Sequence, residues 1–349
     1  MTETTIQPEA STSEAELNEL MSRPTPALVA QLARGRGDLV LLGIAGKMGV
    51  TMGMLAVRAL RESGSKRRVV GVARFTDPQA RTILEEAGVT TVACDLLDRD
   101  AVARLPDAED VIFLAGRKFG TSGSEADLTW AMNAVVPANV AHRYASSRIV
   151  ALSSGCVYPM VTPQDGACDE SVTPEPGGEY AMSALARERV FSWASRSAGT
   201  RVCLIRLNYA LDLRYGVIHD IAQQIVGGGM VDRTVPLFNG IWQGDANRMI
   251  LQSLDLCTAP ATVLNLTGPE TLTVERIACE IGRLLGKKVT FVGDPAKRIW
   301  LSDAARALDR FGYPSVAPAT IVRWTADWIA AGGRSLCKPT HFQTTDGKY

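Results

Sequence analysis

The sequence predicts an α/β fold, a doubly wound parallel sheet followed by a smaller C-terminal lobe. Three observations lead there. From residue 38 to about 212, short apolar runs alternate with longer amphipathic segments, the order that builds parallel strands joined by crossover helices. The strand candidates are apolar on both faces, as strands covered on each side by helices must be. A glycine-rich turn, Gly43-Ile44-Ala45-Gly46-Lys47-Met48-Gly49, separates the first such strand from the first long helix of the series.

Residues 1 to about 13 are rich in Thr, Ser and Glu, which predicts disorder. Ser13-Glu14-Ala15-Glu16 has the form of a capping box and opens a helix carrying Leu17, Leu20 and Met21. Pro24 and Pro26 interrupt it, 27–34 resumes helical spacing, and Gly35-Arg36-Gly37 breaks the chain. Residues 1–37 therefore read as an N-terminal extension, a disordered start and then a helical packing arm. Residues 38–42 form the first strand and 50–63 the first helix of the sheet unit. Strands at 67–73, 89–93, 111–114, 149–152 and 202–206 follow, with helices at 78–87, 100–107, 124–146 and 180–198 between them. Beyond 212 the alternation loosens. Loops with Gly and Pro fill 227–245, then come a strand at 263–266, helices at 274–285 and 319–331, and an irregular tail from Cys337. The expected units are thus 38–212, the sheet, and 213–349, a substrate-binding lobe and tail.

Composition narrows the function. The 37 basic residues balance 37 acidic ones, without the basic surplus that marks nucleic-acid or membrane-surface proteins. Seven scattered cysteines form no CxxC pair, which fits free thiols in a reducing, cytoplasmic compartment. Three isolated histidines argue against a zinc site. No apolar run has the length of a membrane span.

The glycine turn is a GxxGxxG pattern between a buried strand and a helix. Glycine lets backbone approach a pyrophosphate, and the helix N-terminus favours its negative charge. With the next strand about 20 residues on, this context predicts a Rossmann-like dinucleotide site, with Gly43, Gly46, Lys47, Met48 and Gly49 as cofactor-binding residues. A carboxylate closing the second strand would favour NAD; Arg74 stands there instead. The cofactor is therefore read as NAD(P), with Arg74 and the nearby Lys47 favouring the 2′-phosphate of NADP. Asp95 and Leu96, after the third strand, suit the adenine, and Leu114-Ala115-Gly116 closes the fourth strand beneath the cofactor.

Further motifs make the reading specific. Ser153-Ser154-Gly155-Cys156-Val157-Tyr158-Pro159 resembles the SSxxVYG signature of extended short-chain dehydrogenases/reductases, the NAD-dependent epimerase/dehydratase family. Glu170, Pro174, Pro176, Tyr180, Ser183 and Glu188 resemble its E…P…P…YxxSKxxxE pattern, and Leu204 to Tyr209 its LRxxNxYG segment, one residue shorter between Arg206 and Asn208. Asp245, Asn265 to Gly268, Asp303 and Arg310 to Pro314 continue the likeness, which runs from about 38 to 331. The resemblance implies hydride transfer at a nicotinamide, with Ser154 polarising the substrate oxygen and Tyr180 moving its proton. It gives Asn133 and Tyr180 places near the cofactor, and it implies a homodimer pairing the helices near 124–146 and 180–198. In the family a lysine one helical turn after the tyrosine makes the phenol more acidic and holds the nicotinamide ribose. Here that residue is Ala184, and a charged hydrogen bond of about 1.5–3 kcal/mol is missing. Lys118, with Arg117 beside it, and Arg187 are the candidate substitutes.

For the substrate, Ser154, Asn208, Trp242 and Arg248 are the candidate contacts. Arg214 and Arg233 add charge for a diphosphate, Tyr215 offers a second stacking face, and the loop 242–247 is dense in hydrogen-bonding groups. These residues suggest a sugar-like alcohol or carbonyl, with nucleotide sugars included. The expected protein is an NAD(P)-dependent epimerase, dehydratase or reductase. The rival reading is a catalytically silent dinucleotide sensor or scaffold, for which Ala184 speaks. The turn Gly46-Lys47-Met48-Gly49 also resembles that of dihydrodipicolinate reductases, a reading the Ser154–Tyr180 segment opposes.

Overall fold

The computed structural model describes residues 13–118 and 125–347. The expected disorder at the start falls almost entirely outside these residues. Ser13 and Glu16 form the reciprocal capping box, with Glu16 N donating to Ser13 Oγ and Ser13 N to Glu16 Oε2, both at 3.2 Å. Helix α1 (Glu14–Met21) follows, then α2 (Pro26–Leu32). Leu17 and Met21 are buried in the core of the C-terminal lobe, whereas Leu28 and Leu32 join the sheet core. The arm therefore clamps both halves of the molecule.

The seven parallel strands of the central sheet are β1 (Leu39–Leu42), β2 (Val69–Ala73), β3 (Thr90–Ala93), β4 (Asp110–Phe113), β5 (Arg148–Ser154), β6 (Arg201–Leu207) and β7 (Thr262–Leu266), in the order β7-β6-β5-β4-β1-β2-β3. Strand β1 pairs Leu39 with Val69 on one side and with Asp110 on the other. All of its residues are buried, while the edge strand β3 is half-exposed. The order reverses between β1 and β4, which opens a crevice at the carboxyl ends of the strands, where ligands bind in such sheets. The seventh strand comes from inside the segment assigned to the C-terminal lobe, so the chain crosses back to the sheet after residue 212. It pairs along β6 from Thr262–Cys203 to Leu266–Leu207.

Around the sheet lie α3 (Gly49–Glu62), α4 (Pro78–Ala87), α5 (Arg99–Ala103), α6 (Ala126–Trp130), α7 (Val136–Arg143) and α8 (Gly178–Ala198). The expected helix 124–146 is not continuous. A π-helical turn at Ala131–Val135 joins α6 to α7, just before Pro137, whose ring lacks the N–H that an uninterrupted helix would use. The chain beyond 212 carries α9 (Val217–Val226), α10 (Gln243–Gln252), α11 (Val274–Leu285), α12 (Ala305–Phe311) and α13 (Pro318–Ala330); α10 and α12 pack back on the sheet core through Met249, Ile250 and Ala307, while α9, α11 and α13 build the C-terminal lobe. Its core gathers Ile218, Ile221, Trp242, Ile281, Trp324 and Phe342. Among the described residues no helix is long and apolar enough to cross a membrane.

Candidate active site

The glycine turn is held by backbone contact. Gly43 has φ +85°, and a Cβ there would lie 2.7 Å from Ala115 N and 2.8 Å from its Cα. At Gly49 a Cβ would fall 2.2 Å from Ile44 O, so α3 can start close against β1 only with glycine. Met48, the N-cap of α3, makes no side-chain capping bond, leaving first-turn amides for an anionic ligand. Gly46 and Gly116 are exposed on either side of the crevice and Ala115 is buried between them. The β4 edge is fixed by Leu114 N donating to Leu42 O at 2.8 Å. This cradle, with its close backbone approach and a helix N-terminus beside it, fits the pyrophosphate of a dinucleotide.

At the adenosine end Arg74 is exposed, and Phe75 follows with φ +50°. The Arg81 guanidinium lies 5.7 Å from the Phe75 ring centre. Asp95 is exposed, with Oδ1 accepting from Leu97 N at 3.0 Å; Leu96 is buried, and its carbonyl accepts from Asn139 Nδ2 at 3.0 Å.

Lys47 departs from expectation. Its ammonium donates to Ala210 O at 3.3 Å and stands 3.3 Å over the Tyr215 ring. Ala210 follows β6, on the opposite side of β1 from β2 and Arg74, so Lys47 adds no charge at the adenosine end. Burial pushes its pKa down to about 7, against the pull of Asp212.

Asn133 lies in the π-helical turn, fully buried. Its amide accepts from Arg117 N (2.9 Å) and Arg187 (2.5 Å) and donates to Arg117 O and Ser183 Oγ (both 2.9 Å). With these bonds it clamps the loop after β4 next to Gly116.

Tyr180 sits in the first turn of α8, and Ser154 ends β5. The two side chains are hydrogen-bond partners. Burial raises the Tyr180 pKa, reinforced by Cys156, while Arg187 and the Ser154 bond pull it down. Ala184 is completely buried one turn below. The Lys118 ammonium, from the loop after β4, lies 5.8 Å from the Tyr180 ring centre. Arg187 donates to Leu152 O at 2.7 Å and presses against Gly116, where a Cβ would meet its Nη2 at 2.3 Å. Arg187 is thus a buried cation under the floor of the crevice, and Lys118 is at its wall.

Several motif residues prove to hold the site up. Glu188 accepts from Ser153 Oγ (2.6 Å) and forks onto Arg206 (2.9 and 2.8 Å), tying α8 to β5 and β6. Arg206 also lies 4.6 Å over the Tyr158 ring, whose hydroxyl donates to Asn265 at 2.8 Å. Asp245 receives Ser315 N at 2.8 Å and Ser315 Oγ at 3.1 Å.

The expected substrate contacts fare less well. Trp242 is buried, edge-on to Trp324 with ring centres 5.7 Å apart, so it is core and offers no stacking face. Arg248 is buried and bonds Gln252 (2.8 Å) and Asp245 (3.3 Å) within its own helix. Arg214 is committed to Asp212 and Asn18, and Arg233 to Glu275. These guanidiniums are spent on carboxylates and amides of the fold. Tyr215 carries Lys47 on its ring. Asn208 stays beside the site, next to Gly155, donating to Asn239 Oδ1 at 2.6 Å. The residues unforeseen from sequence are Cys156, Asp220, Thr340 and Phe342. No periodicity or motif marks the tail, and its place at the crevice follows only from the path of the chain.

A helix-flanked parallel sheet with a glycine cradle at its switch point and a serine–tyrosine pair beside it defines a Rossmann-type dinucleotide-binding protein. The family model for the NAD dependent epimerase/dehydratase family matches residues 39–271. The chain belongs to that family, which is one of enzymes. Among solved structures it is similar to a UDP-galactose 4-epimerase (23% identity, TM-score 0.67, 84% of this chain and 99% of that one). It also resembles the UDP-glucuronic acid 4-epimerase of Bacillus cereus in complex with UDP-glucuronic acid and NAD (17%, 0.69, 84% and 99%). A third is the Thermus thermophilus UDP-glucose 4-epimerase in complex with NAD (20%, 0.68, 83% and 98%). Comparison with curated protein sequences gives no match.

Proposed function

We propose that this chain is an NAD(P)-dependent enzyme that transfers hydride at a sugar-like alcohol or carbonyl, nucleotide sugars included. Ser154 and Tyr180 are its working pair, and Lys118 stands in for the absent lysine. The observation that carries this reading is the half-buried Tyr180 phenol, bonded to Ser154, with the Lys118 ammonium 5.8 Å from its ring. The cofactor, when bound, supplies the hydride chemistry. Tyr180, its pKa raised by burial, holds its proton at neutral pH and can give it to a substrate oxygen that Ser154 orients. As the phenol loses its proton, Lys118 and Arg187 are the cations that stabilise the oxyanion. The exposed Arg74 favours NADP. Relatives of similar fold are known with NAD and with UDP-sugars, which supports a substrate of that class.

A homodimer and a cytoplasmic setting belong to the same proposal. Met182 and Trp193, three turns apart on α8, are 46% and 65% exposed, and Val135 on the π-helical turn packed against α8 50%, large apolar side chains that a second copy could cover. The rival reading, a silent dinucleotide sensor, draws on Ala184 alone.

The test is Tyr180→Phe, assayed for hydride exchange with a panel of nucleotide sugars, free sugars and small ketones. Turnover should fall by about 10²–10⁴ with dinucleotide binding retained. Unchanged turnover refutes the proton role, and a parent that binds dinucleotide yet turns over nothing across the panel supports the sensor. Mass spectrometry of the dinucleotide released on denaturation decides between NAD and NADP.

A further inference from the structure

The chain does not end at its last helix. After α13 the backbone returns across the molecule, with Leu336 N donating to Arg214 O at 3.1 Å and Ser335 Oγ meeting His219 Nε2 at 2.9 Å. It reaches the crevice at Thr340, which is 1% exposed. There Thr340 N and Oγ1 both donate to Asp220 Oδ2 of α9, at 2.7 and 2.5 Å, while Thr340 O accepts from Lys118 Nζ at 3.0 Å. One residue of the tail thus joins a carboxylate of the C-terminal lobe to the ammonium beside Tyr180. The anchoring continues on the far side. His341 turns with φ +52°, and Phe342, 1% exposed, enters the core with Leu213, Val217, Ile299 and Leu301. Gly347 then packs on the start of α8, where a Cβ on Gly178 would come within 2.4 Å of Gly347 O, two residues before Tyr180.

We propose that the C-terminal tail is a working part of the active centre, in which Asp220 and Thr340 are positioning residues that fix the Lys118 ammonium beside Tyr180. This rests on the reading of Lys118 given above. The physical case is one of orientation. A lysine on a loop carries four rotatable side-chain bonds, and holding its charge at one point requires a fixed acceptor. A backbone carbonyl can be that acceptor only if its own segment is pinned. Asp220 pins it with two bonds, and Phe342 prevents the tail from lifting. Among the described residues, the groups that face Lys118 include Tyr180 from α8, Cys156 from the loop after β5, Asp220 from α9 and Lys47 from the glycine turn. Burial lowers the Lys118 pKa while Asp220 opposes that, so loss of the Asp220 charge lowers it further. The tail therefore sets where the cation stands, and Asp220, which pins the tail, also helps keep it charged.

The test compares the parent, Asp220→Asn, Thr340→Val, Lys118→Met and a chain ending at Pro339. Each is assayed for dinucleotide binding, turnover and its pH profile, and amine acylation of Lys118 is followed by mass spectrometry. In Asp220→Asn and the truncated chain kcat should fall by about 100-fold, as misplacement of a working group by about 1 Å can cause. Dinucleotide affinity should hold; the alkaline limb should move to lower pH in Asp220→Asn, which loses a stabilising charge, and to higher pH in the truncated chain, which uncovers the amine. Combined with Lys118→Met, neither change should add to the loss, because both act through the same ammonium. Lys118 should acylate several-fold faster once Asp220 or the tail is altered. Additive losses, or an unchanged kcat in Asp220→Asn, overturn the proposal. If the parent turns over no substrate, the acylation rates still decide. Equal labelling of Lys118 in parent, Asp220→Asn and truncated chain overturns the positioning role, whereas faster labelling upholds it while the enzymatic reading alone fails. Should truncation unfold the chain, Asp220→Asn and Thr340→Val, which retain Phe342 and its core contacts, carry the same comparison.

Discussion

Replacing Gly43 by alanine tests whether the dinucleotide cradle depends on backbone approach rather than on any side chain. Two costs arise. At φ +85° an L-residue meets about 1–2 kcal/mol of steric strain. The new Cβ would also lie 2.7–2.8 Å from the Ala115 backbone, and relieving such overpacking costs about 1–3 kcal/mol. The sum is about 2–5 kcal/mol, equivalent to a fall in Tm of about 3–7 °C at about 1.4 °C per kcal/mol for a chain of this size. Relief must come by moving β1's turn away from β4, because Ala115 is backbone and cannot rotate aside. The cradle then widens and dinucleotide affinity drops with stability. Gly64→Ala supplies the control. Gly64 also has positive φ, +70°, but a Cβ there meets nothing within 4 Å. It should show only the strain, about 1–2 kcal/mol, and bind dinucleotide as the parent does. Thermal melts and calorimetric titration with NAD and NADP read both variants. If Gly43→Ala binds dinucleotide with parental affinity, or melts no lower than Gly64→Ala, the reasoning fails.

Glu188→Gln leaves the buried Arg206 guanidinium without its charge partner, and urea denaturation should show a loss of about 3–5 kcal/mol. A smaller loss in the apolar pair Glu188→Leu with Arg206→Met would identify the unpaired charge as the cause. Lys47, with a folded pKa of about 7 against about 10.4 in the unfolded chain, binds fewer protons folded than unfolded between those values. Parental stability from this group therefore rises with pH across that window. Lys47→Met should be the more stable protein at and below neutral pH, with the advantage shrinking toward about pH 10; a pH-independent difference would exclude burial of the amine as its source. Trp193→Glu should convert a dimer to monomer in sedimentation equilibrium, and a parent already monomeric would remove the proposed interface.

Much of the sheet was legible because its signals are local. Continuous apolar runs such as Leu39–Leu42, the capping box at Ser13 and the spacing of Gly43, Gly46 and Gly49 each depend on a few neighbouring residues. The order Ser154, Tyr180, Ala184 could likewise be read in the chain, together with the absence of a lysine. Where charged side chains point was not legible. Arg248, Arg214 and Arg233 look like a diphosphate site in sequence, yet each meets a carboxylate or amide brought near by folding. Lys47 is four residues from Gly43, but which strand its ammonium faces depends on the sheet order. Trp242 packs edge-on against Trp324, a residue from the last helix of the C-terminal lobe. The tail is the clearest case. Residues 334–347 carry no periodicity, because the bonds that fix their path go to Arg214, to α9 and to Lys118, with only short local turns among themselves. Sequence determined the scaffold and the serine–tyrosine pair. Tertiary structure alone decided which cation stands beside the tyrosine, since that depends on contacts between Lys118, Asp220 and Thr340, more than a hundred residues apart along the chain.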